Sequence, residues 1–309
     1  MVPETPGVAG PGDHQEVPLT DSYRIGVIGG SGLYSMEGLR IEEERRIPSP
    51  WGDPSDAYLL GTLDGQKVAF LPRHGRGHKL LPSELNYRAN IYGLKTLGVE
   101  RIVSISAVGS MKIEYKPTDI VVPDQFFDRT RHRPDTFFGD GIVAHVSFAR
   151  PVCPDLVPVF VDGARAAGAT VHQGGCYLCM EGPLFSTRAE SEVYRSWGMD
   201  VIGMTNLQEA KLAREAEICY ATLAMITDYD CWHEEEADVS GQAVMEVIAK
   251  NVLMAQSVVR NVIGRIATMP RTCPCKDALA HSLITERSLV PEKTLKNLEP
   301  IIGRYYGKG

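Results

Sequence analysis

Nowhere in this sequence do about 20 apolar residues follow one another, the length a bilayer-spanning helix needs. Basic residues are also short, 32 Lys and Arg against 39 Asp and Glu, for a formal charge of −7. The first lack argues against a membrane protein. The second argues against a protein dedicated to nucleic acid, which wants a basic stripe along the phosphates. Neither removes a local pocket for a small anion. The opening MVPETPGVAGPGDHQEVPLTDS has no basic segment leading into an apolar one, so no secretory signal is visible. Its Pro and Gly content predicts a flexible leader over residues 1–22.

Recognisable metal spacing is missing too. The seven cysteines are an odd number scattered along the chain. Cys153, Cys176, Cys179, Cys219 and Cys231 sit in or beside apolar segments and read as buried free thiols. Cys273-Pro-Cys275 falls instead in a loop-like, exposed-looking stretch, where the pair could be redox-active or could join His281 at a metal. A structural zinc site wants four ligands at established spacings, and these are not evident. The expectation is no metal, an open redox state for the pair, and a cytoplasmic compartment.

What is present is an ordinary globular composition, 43% hydrophobic and 23% charged over 309 residues, enough for one large core. YRIGVIGG reads as a strand running into glycines, and AYLLGTLDGQKVAFL as a hairpin turning at Asp64-Gly65. PSELNYRANIYGLKTLG is a helix with Ser83 as N-cap and Gly98 just past its end. RIVSIS, DIVVPDQF, VHQGGCYLCM, DVIGM and ICYATLAMIT read as strands, and PDLVPVFVDGARAAG as broken helical material. STRAESEVYRSWG, capped at Ser186 or Thr187, NLQEAKLAREAE and the long VSGQAVMEVIAKNVLMAQSVVRNVIGRI read as helices. Alternation of this kind predicts an α/β fold, a single-domain mixed, twisted sheet flanked by helices over residues 23–269. Residues 270–309 read as a helical extension packed on the same domain.

Ligands of such sheets sit beyond the carboxyl ends of strands. After the first strand, GVIGGSGLY offers glycine backbone and the Ser31 hydroxyl to an anion, although the spacing fails a dinucleotide loop, with Ser35 where a third glycine belongs. PRHGRGHKLLP gathers Arg73, His74, Arg76 and His78, a bidentate fork and imidazole donors suited to phosphate, or else a solvated basic loop. In SISAVGS, Ser106 and its small neighbours leave room at the end of a buried strand. MEGPLFSTRAES sets Phe185 where a ring could cover a base, with core packing as the alternative. GMTNLQEA puts Thr205 before a helix start. TDYD brackets a tyrosine with two acids at a strand exit.

Taken in order, IGGSGLY, RHGRGH, SAVGS, DQFFDRT, MEGPLFSTRAES, GMTNLQEA and TDYDCW resemble the trimeric purine nucleoside phosphorylase family over residues 23–265. The match is nearest to the branch that splits 5′-methylthioadenosine, giving adenine and 5-methylthioribose 1-phosphate in methionine and purine salvage. The resemblance implies a nucleoside-phosphorylase-like sheet, a pentosyltransferase, no cofactor beyond phosphate as co-substrate, and a homotrimer or a multiple of one. It implies phosphate contacts from Ser31, Arg73, His74, Ser106, Ala107 and Thr205. Met204 would lie by the ribose and Phe185 and Ser186 by the base, with Thr227 and Met245 lining the 5′ pocket and His145 reaching that pocket from a neighbouring subunit. TNLQE departs from the commoner TTVPE at Asn206, and Gly241 stands where a larger apolar residue is usual.

In an extended segment Asp228 and Asp230 would point to one side. The edge of a 6-aminopurine carries the N7 acceptor beside the N6 donor. One carboxyl can accept from N6–H while protonating N7, which eases departure of the base. Asp228 is the expected general acid and Asp230 its orienting partner, their mutual repulsion raising one apparent pKa. A 6-oxopurine would prefer an amide at that edge. The alternatives are a sister phosphorylase acting on adenosine, inosine, guanosine or methylthioinosine, and a non-catalytic nucleoside-binding protein.

Overall fold

The computed structural model describes residues 23–233 and 240–306, so the leader expected over residues 1–22 lies outside the described residues. The first strand, β1 (Ile25–Gly29), is buried at every position, as befits a parallel strand covered on both faces. After it come β2 (Leu39–Arg45) and the hairpin of β3 (Tyr58–Leu63) and β4 (Gln66–Pro72). Asp64 and Gly65 both adopt positive φ at the hairpin turn, as their types suggest. α1 (Tyr87–Thr96) follows, then the ten-residue β5 (Arg101–Ser110), β6 (Ile120–Val122), β7 (Gln125–Arg129), α2 (Leu156–Ala166), β8 (Val171–Gln173) and β9 (Cys176–Met180). α3 (Arg188–Ser196), β10 (Val201–Gly203), α4 (Asn206–Glu215), β11 (Cys219–Asp228), α5 (Gly241–Ile266), α6 (Glu292–Asn297) and α7 (Glu299–Tyr306) complete the chain.

Several local expectations change. α1 is capped by Asn86, whose side chain accepts from the Ala89 N–H, not by Ser83. DIVVPDQF is two strands, because Pro123 brings no N–H to a ladder. α2 is continuous, since Pro158 sits in its first turn, where N–H groups have no helical partner anyway. VHQGGCYLCM is likewise two strands, parted by Gly174 and Gly175 at positive φ. α3 carries a full capping box between Thr187 and Glu190.

The strands form one mixed sheet in the order β2-β3-β4-β1-β5-β10-β9-β7, with β11, β6 and β8 continuing from the other edge of β5. Helices pack on it closely. A Cβ at Gly93 of α1 would lie 2.2 Å from Tyr58 Oη, so only glycine lets that helix approach. β5 changes neighbours along its length. Arg101–Ser104 pair with β1 in parallel, whereas Gly109 and Ser110 pair antiparallel with β10. β11 runs parallel along the other edge throughout. The chains leaving β1 and β10 therefore face each other across residues 105–108, which creates the sheet's crevice.

Beyond Met269 the chain makes two single 3₁₀ turns and then α6 and α7. Cys273 and Cys275 are buried, 3% and 1% exposed, and not the surface pair their loop-like sequence suggested. Their neighbours are Cys153 and Cys219 rather than His281. All four cysteines belong to the core cluster formed with Leu156, Phe160, Val259 and Val262 of α2 and α5, while Leu279, Leu298, Ile301 and Ile302 of the extension join the cluster of α1 and α4. No described helix is long and apolar enough to cross a membrane.

Candidate active site

β4 ends at Pro72 and delivers Arg73 to the crevice, where its backbone N–H donates to Gly29 O at 3.1 Å and joins the exits of β4 and β1. The guanidinium is buried. Its Nε donates to Glu209 Oε1 at 2.5 Å, Nη2 to Glu209 Oε2 at 3.1 Å and Ser104 Oγ at 2.7 Å, and Nη1 to Ile105 O at 2.6 Å. Burial works against its charge, but Glu209 holds the group protonated. The sequence suggested a fork presented to phosphate; the fork is instead spent on Glu209. Of five N–H hydrogens, one on Nη1 is left for a ligand.

Glu209 also accepts from Tyr220 Oη at 2.9 Å and Ser104 Oγ at 3.1 Å, and Asn206 Nδ2 donates to both of those hydroxyls. The departure from the family pattern at Asn206 thus falls in a buried brace rather than on the pocket wall. Ser104, Asn206, Glu209 and Tyr220 were not singled out from sequence as supports for Arg73. Their one signal was polarity inside otherwise apolar strands and on the buried face of α4.

Around this arginine, three buried hydroxyls make no hydrogen bond of full geometry, Ser106 Oγ on β5, Tyr177 Oη on β9 and Tyr34 Oη after β1, although Tyr177 faces the Ser106 hydroxyl and the Thr205 N–H. An unsatisfied buried hydroxyl costs about 1–3 kcal/mol. Three of them near one cation suit a ligand rich in acceptors. Thr205 is the N-cap of α4 yet makes no side-chain cap, so its hydroxyl and the helix N-terminus are also available. Ser31 opens the 3₁₀ turn that follows β1, and Ala107 is half-buried beside Ser106 on β5. Arg76, by contrast, turns away to Glu44 and Asp56.

His74 differs from expectation. Its Nδ1 lies 2.8 Å from Leu80 O, a group that only accepts, so that nitrogen carries the hydrogen. Burial pushes the ring down to about 4. The neutral ring therefore offers Nε2 as an acceptor, not the second donor foreseen. It stacks on His78 with centroids 4.3 Å apart.

At the exit of β11 the extended geometry assumed for TDYD is broken. A bulge falls between Ile226 and Asp228, and Asp230 takes φ +53°. Asp230 N–H donates to Asp228 Oδ1 at 2.8 Å, a turn closed by the first acid's own side chain. The two acids still converge, over Gly109: a Cβ there would lie 2.9 Å from Asp228 Oδ1 and 3.4 Å from Asp230 Cβ. Burial raises the Asp230 carboxyl, against hydrogen bonding from Ser191, Cys231 and Ser186. Desolvation, not repulsion between the acids, heads the causes.

Thr227 Oγ1 lies 2.6 Å from Asp228 Oδ2 and 3.2 Å from Val108 O. One hydroxyl hydrogen cannot serve two acceptors. The shorter contact takes it: Thr227 donates to Asp228 Oδ2, with Val108 O the more distant acceptor. The link that Thr227 makes here is thus to the acid pair.

A third wall comes from the turn after β9. Phe185 is 40% exposed, Ser186 is buried and Met204 half-buried. Arg133, which sequence reasoning missed, holds this wall. It donates to Met204 O and Glu181 O, and to Gln208 Oε1 at 3.1 Å. His145 and Met245 are exposed, and among the described residues neither is hydrogen-bonded to the acid pair. His145 N–H donates to Ser282 O at 2.9 Å, on the extension. A separate cavity of about 380 Å³, lined by Trp51, Phe137, Asp140 and Lys293 among others, contains none of these groups.

Residues 24–264 match the model of the phosphorylase superfamily. An S-methyl-5′-thioadenosine phosphorylase of Koribacter versatilis is 59% identical over 286 residues, 92% of this chain and 97% of that protein. One from Geobacter sulfurreducens is 59% identical over 282 residues, 91% of this chain and 98% of its own. Among solved structures, a methylthioadenosine phosphorylase from an antarctic soil metagenomic library superposes with TM-score 0.87 at 48% identity, covering 91% of this chain and 99% of that one. The Schistosoma mansoni methylthioadenosine phosphorylase in complex with adenine gives 0.78 at 32% identity, covering 91% and 98%.

Proposed function

The chain belongs to the phosphorylase superfamily, and from that premise we propose that it is a pentosyltransferase that cleaves 5′-methylthioadenosine with inorganic phosphate. The products are adenine and 5-methylthioribose 1-phosphate. One observation carries the reading beyond the relatives' names: a hydroxyl-lined cationic pocket at Ile105 and Ser106 and an acid pair over Gly109 sit a few residues apart along the same strand, β5. Phosphate would take the spare Nη1 hydrogen of Arg73, the Ser31, Ser106 and Thr205 hydroxyls and backbone N–H groups from Ala107 and the start of α4, with His74 alongside. Held there, it attacks the anomeric carbon from the face opposite the base. Positive charge grows on the ribosyl ring and negative charge on the departing purine. Asp228 answers the second by giving its proton to N7, and no covalent enzyme intermediate is needed.

In this reading Asp230 positions Asp228 through its backbone N–H, and Thr227 fixes the other carboxyl oxygen of Asp228 through its hydroxyl. Phe185 and Ser186 cover the base, Met204 meets the ribose, and Met245 faces the methylthio end. Phosphate is a co-substrate, with no cofactor or metal in the reaction. A homotrimer, or a multiple of one, is part of the same proposal, with His145 reaching the neighbouring subunit's nucleoside. Its exposure and its backbone tie to the extension suit that reach.

The decisive assay measures release of free base from 5′-methylthioadenosine, adenosine, inosine and methylthioinosine, each with and without phosphate. Phosphate-dependent release, fastest from 5′-methylthioadenosine, is expected. A preference for the 6-oxo nucleosides would identify the sister activity, and no release from any of them would leave a binding protein. Gly109→Ala gives a second check. Its methyl group would press on Asp228 and on Ile202 Cγ2, 3.1 Å away. Turnover should drop about tenfold, as small misplacements of reacting groups do, with the circular dichroism spectrum kept. Full activity in that variant would detach the acid pair from the chemistry.

A further inference from the structure

The Sγ atoms of Cys153, Cys219, Cys273 and Cys275 all lie within 4.8 Å of one another, and all four residues are buried. We propose that these four cysteines form a structural zinc site that clasps the C-terminal extension to the central sheet. Four thiolates around zinc, with bonds of about 2.3 Å, stand roughly 3.8 Å apart at the edges of a tetrahedron. The cluster needs little adjustment to reach that shape; its Cys219–Cys273 edge is 3.2 Å.

Each ligand is set by backbone contacts of its own. Cys153 N–H donates to Tyr220 O at 2.9 Å, just before α2, and Cys219 N–H donates to Glu100 O at 2.9 Å as β11 begins. Cys273 and Cys275 flank Pro274 at the start of the 3₁₀ turn Pro274–Asp277. Two thiols thus come from the core and two from the extension.

The surroundings suit an anionic metal–thiolate centre, which would carry a net charge of −2. The Arg271 guanidinium lies against Cys219 and Cys273, and its Nε is buried with no hydrogen-bond partner. Arg101 stands opposite Cys219 in the β5–β11 register, 1% exposed, and its Nε is likewise without a partner. Metal entry releases the thiol protons to solvent and needs no oxidant, whereas paired disulfides would need one. Soft thiolates favour zinc among the common divalent ions. The ten-residue β11 sets the site roughly 30 Å from Asp228, so its role is to hold structure rather than to take part in turnover.

The test is metal analysis of the full-length protein, purified without chelator from zinc-supplemented cells. About one zinc per chain is expected, released as a mercurial takes up the four thiolates. Protein refolded with Co²⁺ should show the intense visible bands of a tetrahedral tetrathiolate. Cys275→Ser should lose the metal and melt lower, while Cys179→Ser keeps it. Less than about 0.1 metal per chain, with the four thiols free or joined as disulfides, would overturn the proposal. The wild-type stoichiometry decides this even where a variant fails to fold.

Discussion

Asp228→Asn is expected to lower kcat/KM for 5′-methylthioadenosine by about 10²-fold or more, the usual scale for losing a general acid. The loss should fall mainly on kcat, because the proton is needed only as the glycosidic bond breaks. The amide can donate to N7 or to a purine O6, so discrimination between methylthioadenosine and methylthioinosine should move towards the oxo substrate. Asp230→Asn should do less to kcat. Burial raises the Asp230 carboxyl, so its neutral form persists above the ordinary carboxylate range and is lost as pH rises through that raised value. The same sign holds for stability: the folded state binds this proton more tightly than the unfolded chain. Its contribution is full below the ordinary value and fades as pH climbs past the raised one. Kinetics from pH 5 to 9 on both substrates test these points together. An Asp228→Asn enzyme with wild-type rates and an unchanged amino-to-oxo ratio would remove the acid pair from the mechanism.

Arg73→Ala should act twice. It leaves Glu209, itself 1% exposed, as a buried charge with no cation, a loss on the order of 3–5 kcal/mol. Much of the variant should therefore be unfolded or insoluble. Arg73→Met combined with Glu209→Gln removes both charges while keeping bulk. That protein should fold, and its KM for phosphate should rise far more than its KM for nucleoside. Loss of one hydrogen bond to a charged group is worth about 1.5–3 kcal/mol, so a rise of roughly 10- to 100-fold is expected. Initial rates over a phosphate series at saturating nucleoside measure it. A folded double variant with an unchanged phosphate KM would put the anion somewhere else.

The sequence was most informative where one residue's chemistry acts on its own neighbours. Asp64-Gly65 announces its turn because both positions take positive φ, and Thr187 with Glu190 announces a helix start because the two groups satisfy each other three residues apart. The acids of TDYD were visible as a pair, but their geometry was not. The bulge at Thr227 depends on pairing with β5, more than a hundred residues earlier, and no local pattern reports it. Arg73 was found and its environment misjudged, since Glu209, its partner, belongs to α4 and meets it only when the sheet closes. The cysteines were misread for the same reason. CPC looks exposed in its own loop, and its partners stand at the heads of α2 and β11. Pro158 is a simpler lesson: a breaker by type, it is harmless in a first turn.

The hydrogen on His74 Nδ1 is committed to Leu80 O, so any anion resting against Nε2 has to bring a hydrogen of its own. Monohydrogen phosphate has one. Sulfate, of nearly the same size and charge, does not at neutral pH, and would set two lone pairs against each other. In the proposed phosphate site, a ring that stays neutral would thereby sort tetrahedral dianions by their acidity, favouring the one whose oxygen can still be a nucleophile while another is protonated.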